Sequence, residues 1–225
     1  MSADVTIAVA IPAFEAGATV AQVVRRARPL VQHVLVVDDG SPDATAAAAE
    51  QAGARVVRHA SNMGKGRALR TAFDDLFGRG FTAVVTVDAD GQHLPEQIPR
   101  LIGAARRDAE LVIGCRAHLF AQMHPLRRFS NRWSSWAISR VAGRSIADAQ
   151  SGFRLYTRRL VERTGFPESR FEAESAVIVR AVRAGLRVEC VEVELGCVDG
   201  RATSHYRPIV DSLRIGLAVA RARLG

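Results

Sequence analysis

At 225 residues, 48% of them hydrophobic and without a low-complexity tract, the chain can bury one large α/β core, which excludes disorder. Three widely spaced cysteines exclude a disulfide framework or cysteine metal cluster, and no window approaches the ~20 apolar residues of a membrane-spanning helix. The net charge is +8, with Lys65 the one lysine among 31 basic residues; this favours anionic partners, but no concentrated basic run or nucleic-acid module accompanies it.

Residues 5–11 read as a first strand closed by Pro12, not as the apolar core of a signal peptide. Gly17 and Thr19 open a helix whose apolar stripe is Val20, Val23, Val24 and Ala27. Residues 33–37 form a second strand, ending in Asp38-Asp39-Gly40-Ser41. Pro42 suits the first position of a helix capped by Ser41. A third strand over 55–58 leads through Asn62-Met63-Gly64-Lys65-Gly66 to a helix over 67–77. Residues 81–87 form the central strand, Pro95 starts another helix, and 110–114 form one more strand. This alternation predicts a mainly parallel sheet with helices on both faces.

The rhythm changes after about Arg116. Residues 124–141 read as one amphipathic helix with Leu126, Phe129, Trp133, Ala137 and Val141 on one stripe and Arg127, Arg128, Arg132 and Arg140 around it. Spacing alone leaves two options: a basic-aromatic helix on a membrane surface or over a lipid-linked acceptor, or a core-packed helix with a solvated arginine face. A turn at 148–154 enters a strand, and Phe171-Glu172-Ala173-Glu174 begins a helix. Residues 186–195 form a last strand, and an amphipathic helix follows the loop Ser204-His205-Tyr206-Arg207-Pro208.

The most informative stretch is Val84-Val85-Thr86-Val87-Asp88-Ala89-Asp90-Gly91-Gln92-His93. If the strand continued, Asp88 and Asp90 would point the same way. Ligands bind at the carboxyl ends of strands in open α/β sheets. Two same-side carboxylates there suit Mg²⁺ or Mn²⁺, which completes its octahedron with substrate phosphate oxygens. An ordinary Asp/Gly turn is the alternative. Residues 12–17 are not a dinucleotide-binding glycine motif, and Gly64-Lys65-Gly66 lacks the features of a P-loop. There is no nucleophile elbow.

Five spaced stretches then point one way: Ile11-Pro12-Ala13-Phe14-Glu15; Val36-Val37-Asp38-Asp39-Gly40-Ser41-Pro42-Asp43; Asn62-Met63-Gly64-Lys65-Gly66-Arg67-Ala68-Leu69; Asp88-Ala89-Asp90-Gly91-Gln92-His93; and Gln150-Ser151-Gly152-Phe153-Arg154 with Phe171-Glu172-Ala173-Glu174. In their order and spacing the chain resembles the family-two glycosyltransferases of GT-A fold, in particular their polyprenyl-phosphate (dolichyl-phosphate mannose synthase-like) branch. The resemblance implies a single GT-A domain over 1–225. Residues to about 115 would bind the nucleotide sugar, those to about 207 the acceptor, and 208–225 would form the last helix.

Carried over by position, the resemblance implies that Pro12, Phe14 and Glu15 line the base and that Asp38 or Asp39 hydrogen-bonds base or ribose. Lys65 would approach the phosphates. Asp88 and Asp90 would hold ribose, metal and diphosphate beside Gln92, with His205 a further metal ligand. Glu172 and Glu174 match the acceptor-side acidic motif that supplies a base in many such enzymes. Phe14, Glu15 and Ala16 stand where Tyr, Asn and Glu are usual.

The activity implied is inverting transfer of a hexose from a GDP- or UDP-sugar, assisted by Mg²⁺ or Mn²⁺ acting as a Lewis acid. Asp90 is its metal-side catalytic residue. A hydroxyl acceptor would need Glu172 or Glu174 as base, whereas a polyprenyl phosphate is already anionic. Arg127, Arg128, Arg132, Gln150 and Arg154 would bind such a phosphate. A saccharide acceptor is the alternative, and a non-catalytic polyanion binder the remote one. The expected location is cytoplasmic, with peripheral contact at the inner face of the membrane left open.

Overall fold

The computed structural model describes residues 6–123 and 125–196, together with Ala218 and Ala222. The His205 loop therefore lies outside the described residues. The elements in chain order are β1 (Ile7–Ala13), α1 (Val20–Ala27), β2 (His33–Asp38), α2 (Thr45–Gln51), β3 (Arg55–Arg58), α3 (Lys65–Gly78) and β4 (Ala83–Thr86). There follow α4 (Ile98–Ala105), β5 (Leu111–Cys115), α5 (Pro125–Ala142), β6 (Arg154–Thr157), α6 (Arg158–Thr164), α7 (Glu172–Arg183) and β7 (Val188–Glu192).

The strands form one sheet in the order β3-β2-β1-β4-β6-β5-β7. All neighbouring pairs are parallel except those of β6, which runs antiparallel to β4 and β5. Alternation along each strand divides the core. Ala8 and Ala10 of β1 face a cluster built on Leu69, Phe73 and Leu76 of α3, Val177 and Ile178 of α7, and Ile138 of α5. Val9 and Ile11 face the opposite cluster, with Val20, Val23 and Val24 of α1 and Ile98 and Leu101 of α4. The result is a three-layer α/β fold, as the alternation of elements predicts.

Three local expectations change. Pro12 lies inside β1 rather than closing it, paired with Val37. Ala10 accepts the last β4-side ladder bond, from Val87, so Pro12 falls where no partner needs its missing N–H. Ser41 does not cap α2, which begins at Thr45. Its Oγ accepts the Glu15 N–H at 2.9 Å instead, while Asp43 accepts from the Thr45 N–H at 3.1 Å. β4 ends at Thr86, so Asp88 and Asp90 lie beyond the strand and not on its pleat. The 148–154 turn enters a strand as expected: β6 begins at Arg154 and runs straight into α6, an element the sequence reading did not include, whose first turn Thr157 caps by accepting the Leu160 N–H at 3.2 Å.

This topology gathers one edge. β1, β2 and β4 all end there. Because Thr86 pairs with Arg154, antiparallel β6 begins there, and Ile113 pairing with Arg154 brings the end of β5 to the same place.

Candidate active site

The centre of that edge is an ionic cluster. Lys65, the first residue of α3, places Nζ 2.6 Å from Asp88 Oδ1 and 2.9 Å from Glu174 Oε2. Sequence spacing cannot bring these three together; the approach of two helix starts does. Gly66 allows it, since a Cβ there would lie 2.5 Å from the Glu168 carbonyl, and the Arg67 N–H donates to the Ser169 carbonyl at 3.0 Å. Gly152 completes the close packing: a Cβ would stand 2.5 Å from Asp88 Oδ2 and 2.7 Å from Lys65 Nζ.

The electrostatics follow. Burial works against the Lys65 charge, but Asp88 and Glu174 outweigh it and hold the ammonium above the usual lysine range. Burial likewise pushes the Asp88 carboxyl up, while Lys65 and His93 pull it down to about 2. Asp90 goes the other way. Burial and the neighbouring Asp88 charge raise it, only partly offset by the Gln92 N–H, which donates to Asp90 Oδ1 at 2.9 Å. Asp90 therefore holds negative charge that the protein leaves undercompensated, the condition a divalent cation relieves. Among the described residues no group of three or more potential ligands converges. A carboxylate pair completed by substrate oxygens fits Mg²⁺ or Mn²⁺ chemistry.

The other sequence-predicted residues divide between the edge and the interior. Pro12 and Phe14 are half-buried and Glu15 is exposed on the loop after β1; Glu15 takes a positive φ of 51°. Gln92 accepts from Arg127 Nη2 at 3.3 Å, which ties α5 to the acidic loop. Arg128 and Arg132 are exposed on the same helix. Gln150 Nε2 donates to Ser134 Oγ at 2.6 Å. Glu172 is half-buried at the start of α7 and accepts from the Arg170 N–H at 3.3 Å.

Three of the sequence-predicted residues are buried among protein partners, and for Arg154 this changes the expected role. Asp38 and Asp39 are buried and build loops. Asp38 accepts from the Ser41 N–H at 3.0 Å and lies 3.2 Å from Arg58 Nε. Asp39 accepts from the N–H groups of Met63 and Gly64 at 2.9 and 2.7 Å and contacts His59 Nδ1 at 2.7 Å. Arg154 has no exposed surface. Its guanidinium donates to the carbonyls of Ser151, Ala149 and Glu174 and so cannot reach an acceptor phosphate.

Two residues of the edge carry no role in the sequence reading. His93 is buried, stacks on Phe153 with ring centroids 5.4 Å apart, and lies 3.7 Å from Asp88 Oδ2. Arg116 makes a buried bidentate pair with Asp148 at 2.7 and 3.1 Å. Adjacency of His93 to the acidic motif was a usable signal; the Arg116–Asp148 separation of 32 positions was not.

Comparison with known proteins agrees with this geometry. The profile described as Glycosyl transferase family 2 matches residues 8–165. The chain belongs to that family. It is 34% identical over 212 residues to the undecaprenyl-phosphate mannosyltransferase of Micrococcus luteus, covering 85% of this chain and 87% of that one. It is 36% identical over 140 residues to the polyprenol monophosphomannose synthase of Mycolicibacterium smegmatis, covering 58% of this chain and 53% of that one, about half the relative's length. In fold it is similar to a crystal structure of glucosyl-3-phosphoglycerate synthase from Mycobacterium tuberculosis with phosphoglyceric acid. The TM-score is 0.75 at 24% identity, over 97% of this chain and 80% of that one. A further structure of that synthase holds Mn²⁺ and UDP, with TM-score 0.72 at 22% identity over 99% of this chain and 79% of that one. This family-2 chain is thus a glycosyltransferase of GT-A fold, and its acidic edge lies where such a sheet binds its ligands.

Proposed function

We propose that this glycosyltransferase moves a hexose, with inversion at the anomeric carbon, from a GDP- or UDP-sugar to a polyprenyl phosphate at the cytoplasmic face of the membrane. The observation that most supports the acceptor class is the Lys65–Glu174 contact of 2.9 Å. The carboxylate at the usual base position is engaged by an ammonium, and a phosphate acceptor, already anionic, asks for no proton acceptor. The printed names of the Micrococcus and Mycolicibacterium relatives support the same class.

In this reading Pro12, Phe14 and Glu15 line the base, and Asp38 and Asp39 shape the loops around it. Asp88 and Asp90 would hold Mg²⁺ or Mn²⁺, which supplies Lewis-acid stabilisation of the leaving diphosphate. Lys65 brings positive charge to the same oxygens. Arg127, Arg128 and Arg132 receive the acceptor phosphate, for which guanidinium forks are suited. Gln150 and Gln92 orient this side of the cleft. His205 lies outside the described residues.

One observation favours a hydroxyl acceptor: Glu172 Oε2 and Glu174 Oε1 are both buried without a hydrogen-bond partner in the structure. One experiment separates the readings. Thermal shift with GDP and UDP, each with and without Mn²⁺, selects the donor nucleotide. Radiolabelled sugar transfer is then measured to a short-chain polyprenyl phosphate and to a saccharide. Transfer to the polyprenyl phosphate that survives Glu174→Gln supports the proposal. Transfer to the saccharide alone, abolished by Glu174→Gln, overturns it.

A further inference from the structure

α5 packs on the core along one face and presents a second, aromatic face outward. Among its described side chains the fully buried ones are Asn131, Ser135 and Ile138, two of them polar. Its three aromatic side chains face outward, Phe129 67% exposed, Trp133 58% and Trp136 52%, while Ile138 and Val141 pack on the core. The stripe expected from spacing therefore does not pack into the core at Phe129 and Trp133. Positions 129, 133, 136 and 140 recur at i, i+4, i+7 and i+11 and share one face.

The orientation is enforced from the inside. Ser135 Oγ accepts the Ala149 N–H at 3.0 Å, and Ser139 Oγ accepts the Ile146 N–H at 2.9 Å. Asn131 Nδ2 donates to Met123 Sδ at 3.5 Å. Rotating the helix to bury the indoles would take the serines away and leave the buried N–H groups of Ile146 and Ala149 without their acceptors. The outward face is also organised. The Trp133 and Trp136 rings lie 5.0 Å apart, and the Arg140 guanidinium sits 5.7 Å from the Trp136 ring. Arg128 and Arg132 are exposed at the flank of this face, whereas Arg127 points away from it toward Gln92, and Pro125–Ala142 contains no acidic residue.

We infer that this face docks on the interfacial region of an anionic lipid bilayer. Tryptophan suits that layer, with an apolar ring and a polar N–H. Arginines among the indoles supply attraction to anionic headgroups. A second copy fits poorly, because a two-fold contact would oppose arginines to arginines. Among the described residues no helix is long and apolar enough to cross a membrane, so α5 would lie in the surface plane. The Arg127–Gln92 contact joins one end of the helix to the Asp90 loop, so docking sets the acidic edge beside the lipid surface. That last consequence rests on the proposed acceptor; docking itself does not.

Trp133 and Trp136 are the two tryptophans of the chain, so intrinsic fluorescence reads this face alone. The probe is vesicles of phosphatidylcholine with phosphatidylglycerol, against phosphatidylcholine alone, all free of polyprenyl phosphate. Anionic vesicles are expected to shift the emission to the blue, and brominated acyl chains to quench it. The triple variant Phe129→Ser/Trp133→Ser/Trp136→Ser is expected to keep its circular dichroism and melting temperature and to partition onto vesicles roughly tenfold more weakly. Should that variant misfold, quenching of the wild type by brominated lipid remains decisive. No blue shift with anionic vesicles, equal sedimentation of a folded triple variant, or a blue shift that rises with protein concentration in the absence of lipid would each overturn the inference. Binding to these vesicles together with no transfer in the separate polyprenyl-phosphate assay would count against the proposed acceptor and leave the docking surface standing.

Discussion

Lys65 Nζ bridges Asp88 and Glu174 at 2.6 and 2.9 Å, so a protein ammonium stands on the carboxylate proposed to hold a metal. Replacing it with Lys65→Met leaves two enclosed carboxylates facing each other. Breaking a buried pair by removing one partner costs roughly 3–5 kcal/mol, and the 27% exposure of Asp88 places this case toward the lower end. Urea denaturation is expected to show that loss, and Mn²⁺ to restore part of it. An unchanged midpoint would show that the bridge contributes nothing to the fold.

Asp90 is expected to separate stability from activity. Its carboxyl is raised by burial and by the Asp88 charge, so the ionised form destabilises the metal-free protein. Asp90→Ala is expected to keep or slightly raise the melting temperature in EDTA. Sugar transfer is expected to fall by roughly 100-fold or more, since a Lewis acid at the diphosphate is worth several kcal/mol. A folded, fully active Asp90→Ala enzyme would sink the metal assignment.

His93 gives the pH signature. Burial pushes its imidazole down to about 4, against the pull of Asp88 and with Arg116 and Lys65 adding to the fall. The unfolded chain titrates near the ordinary value of 6.5, so between 6.5 and 4 the unfolded state binds the extra proton. Stability contributed by neutral His93 is therefore full above pH 6.5 and lost as pH falls toward 4. The loss reaches about 2 kcal/mol by pH 5. Denaturation in EDTA at pH 7 and pH 5 is expected to show it in the wild type and not in His93→Gln. Equal pH dependence of the two proteins would remove His93 from the account.

The parallel half of the fold was legible because its signals are local. Val20, Val23, Val24 and Ala27 have helical spacing, and all four are buried. Acidic motifs at strand ends implied the ligand edge that the topology assembles. The residues read less well are those whose side chains fold back onto the backbone of their own or a neighbouring loop. Asp39, 25 positions from Gly64, reads like a ligand-binding carboxylate but organises a loop. Arg154 reads like a phosphate clamp, but three carbonyls surround its guanidinium. The limits of α5 were legible but its facing was left open, because what decides it is the pairing of Ser135 and Ser139 with the 146–149 turn. A hydrophobic stripe reports that a face exists and cannot say which surface it meets.

Gly152 is where an added atom would meet the Lys65–Asp88 bridge itself. Its carbonyl accepts from Thr86 Oγ1 at 2.8 Å, which holds the turn against β4. An added Cβ would lie 2.5 Å from Asp88 Oδ2 and 2.7 Å from Lys65 Nζ, so the bridge would have to open. Overpacking of this kind typically costs 1–3 kcal/mol, and here it also displaces the two groups nearest the proposed diphosphate position. Gly152→Ala is expected to lower the urea midpoint, weaken nucleoside-diphosphate binding in a thermal-shift titration and reduce transfer. Gly78→Ala at the end of α3 is the matched control, since a Cβ there meets nothing within 4 Å. It is expected to be neutral or to stabilise by about 0.5–1 kcal/mol while leaving nucleotide binding unchanged. If both alanine variants bind nucleotide like the wild type, the close approach of Gly152 to the Lys65–Asp88 bridge has no bearing on the donor site.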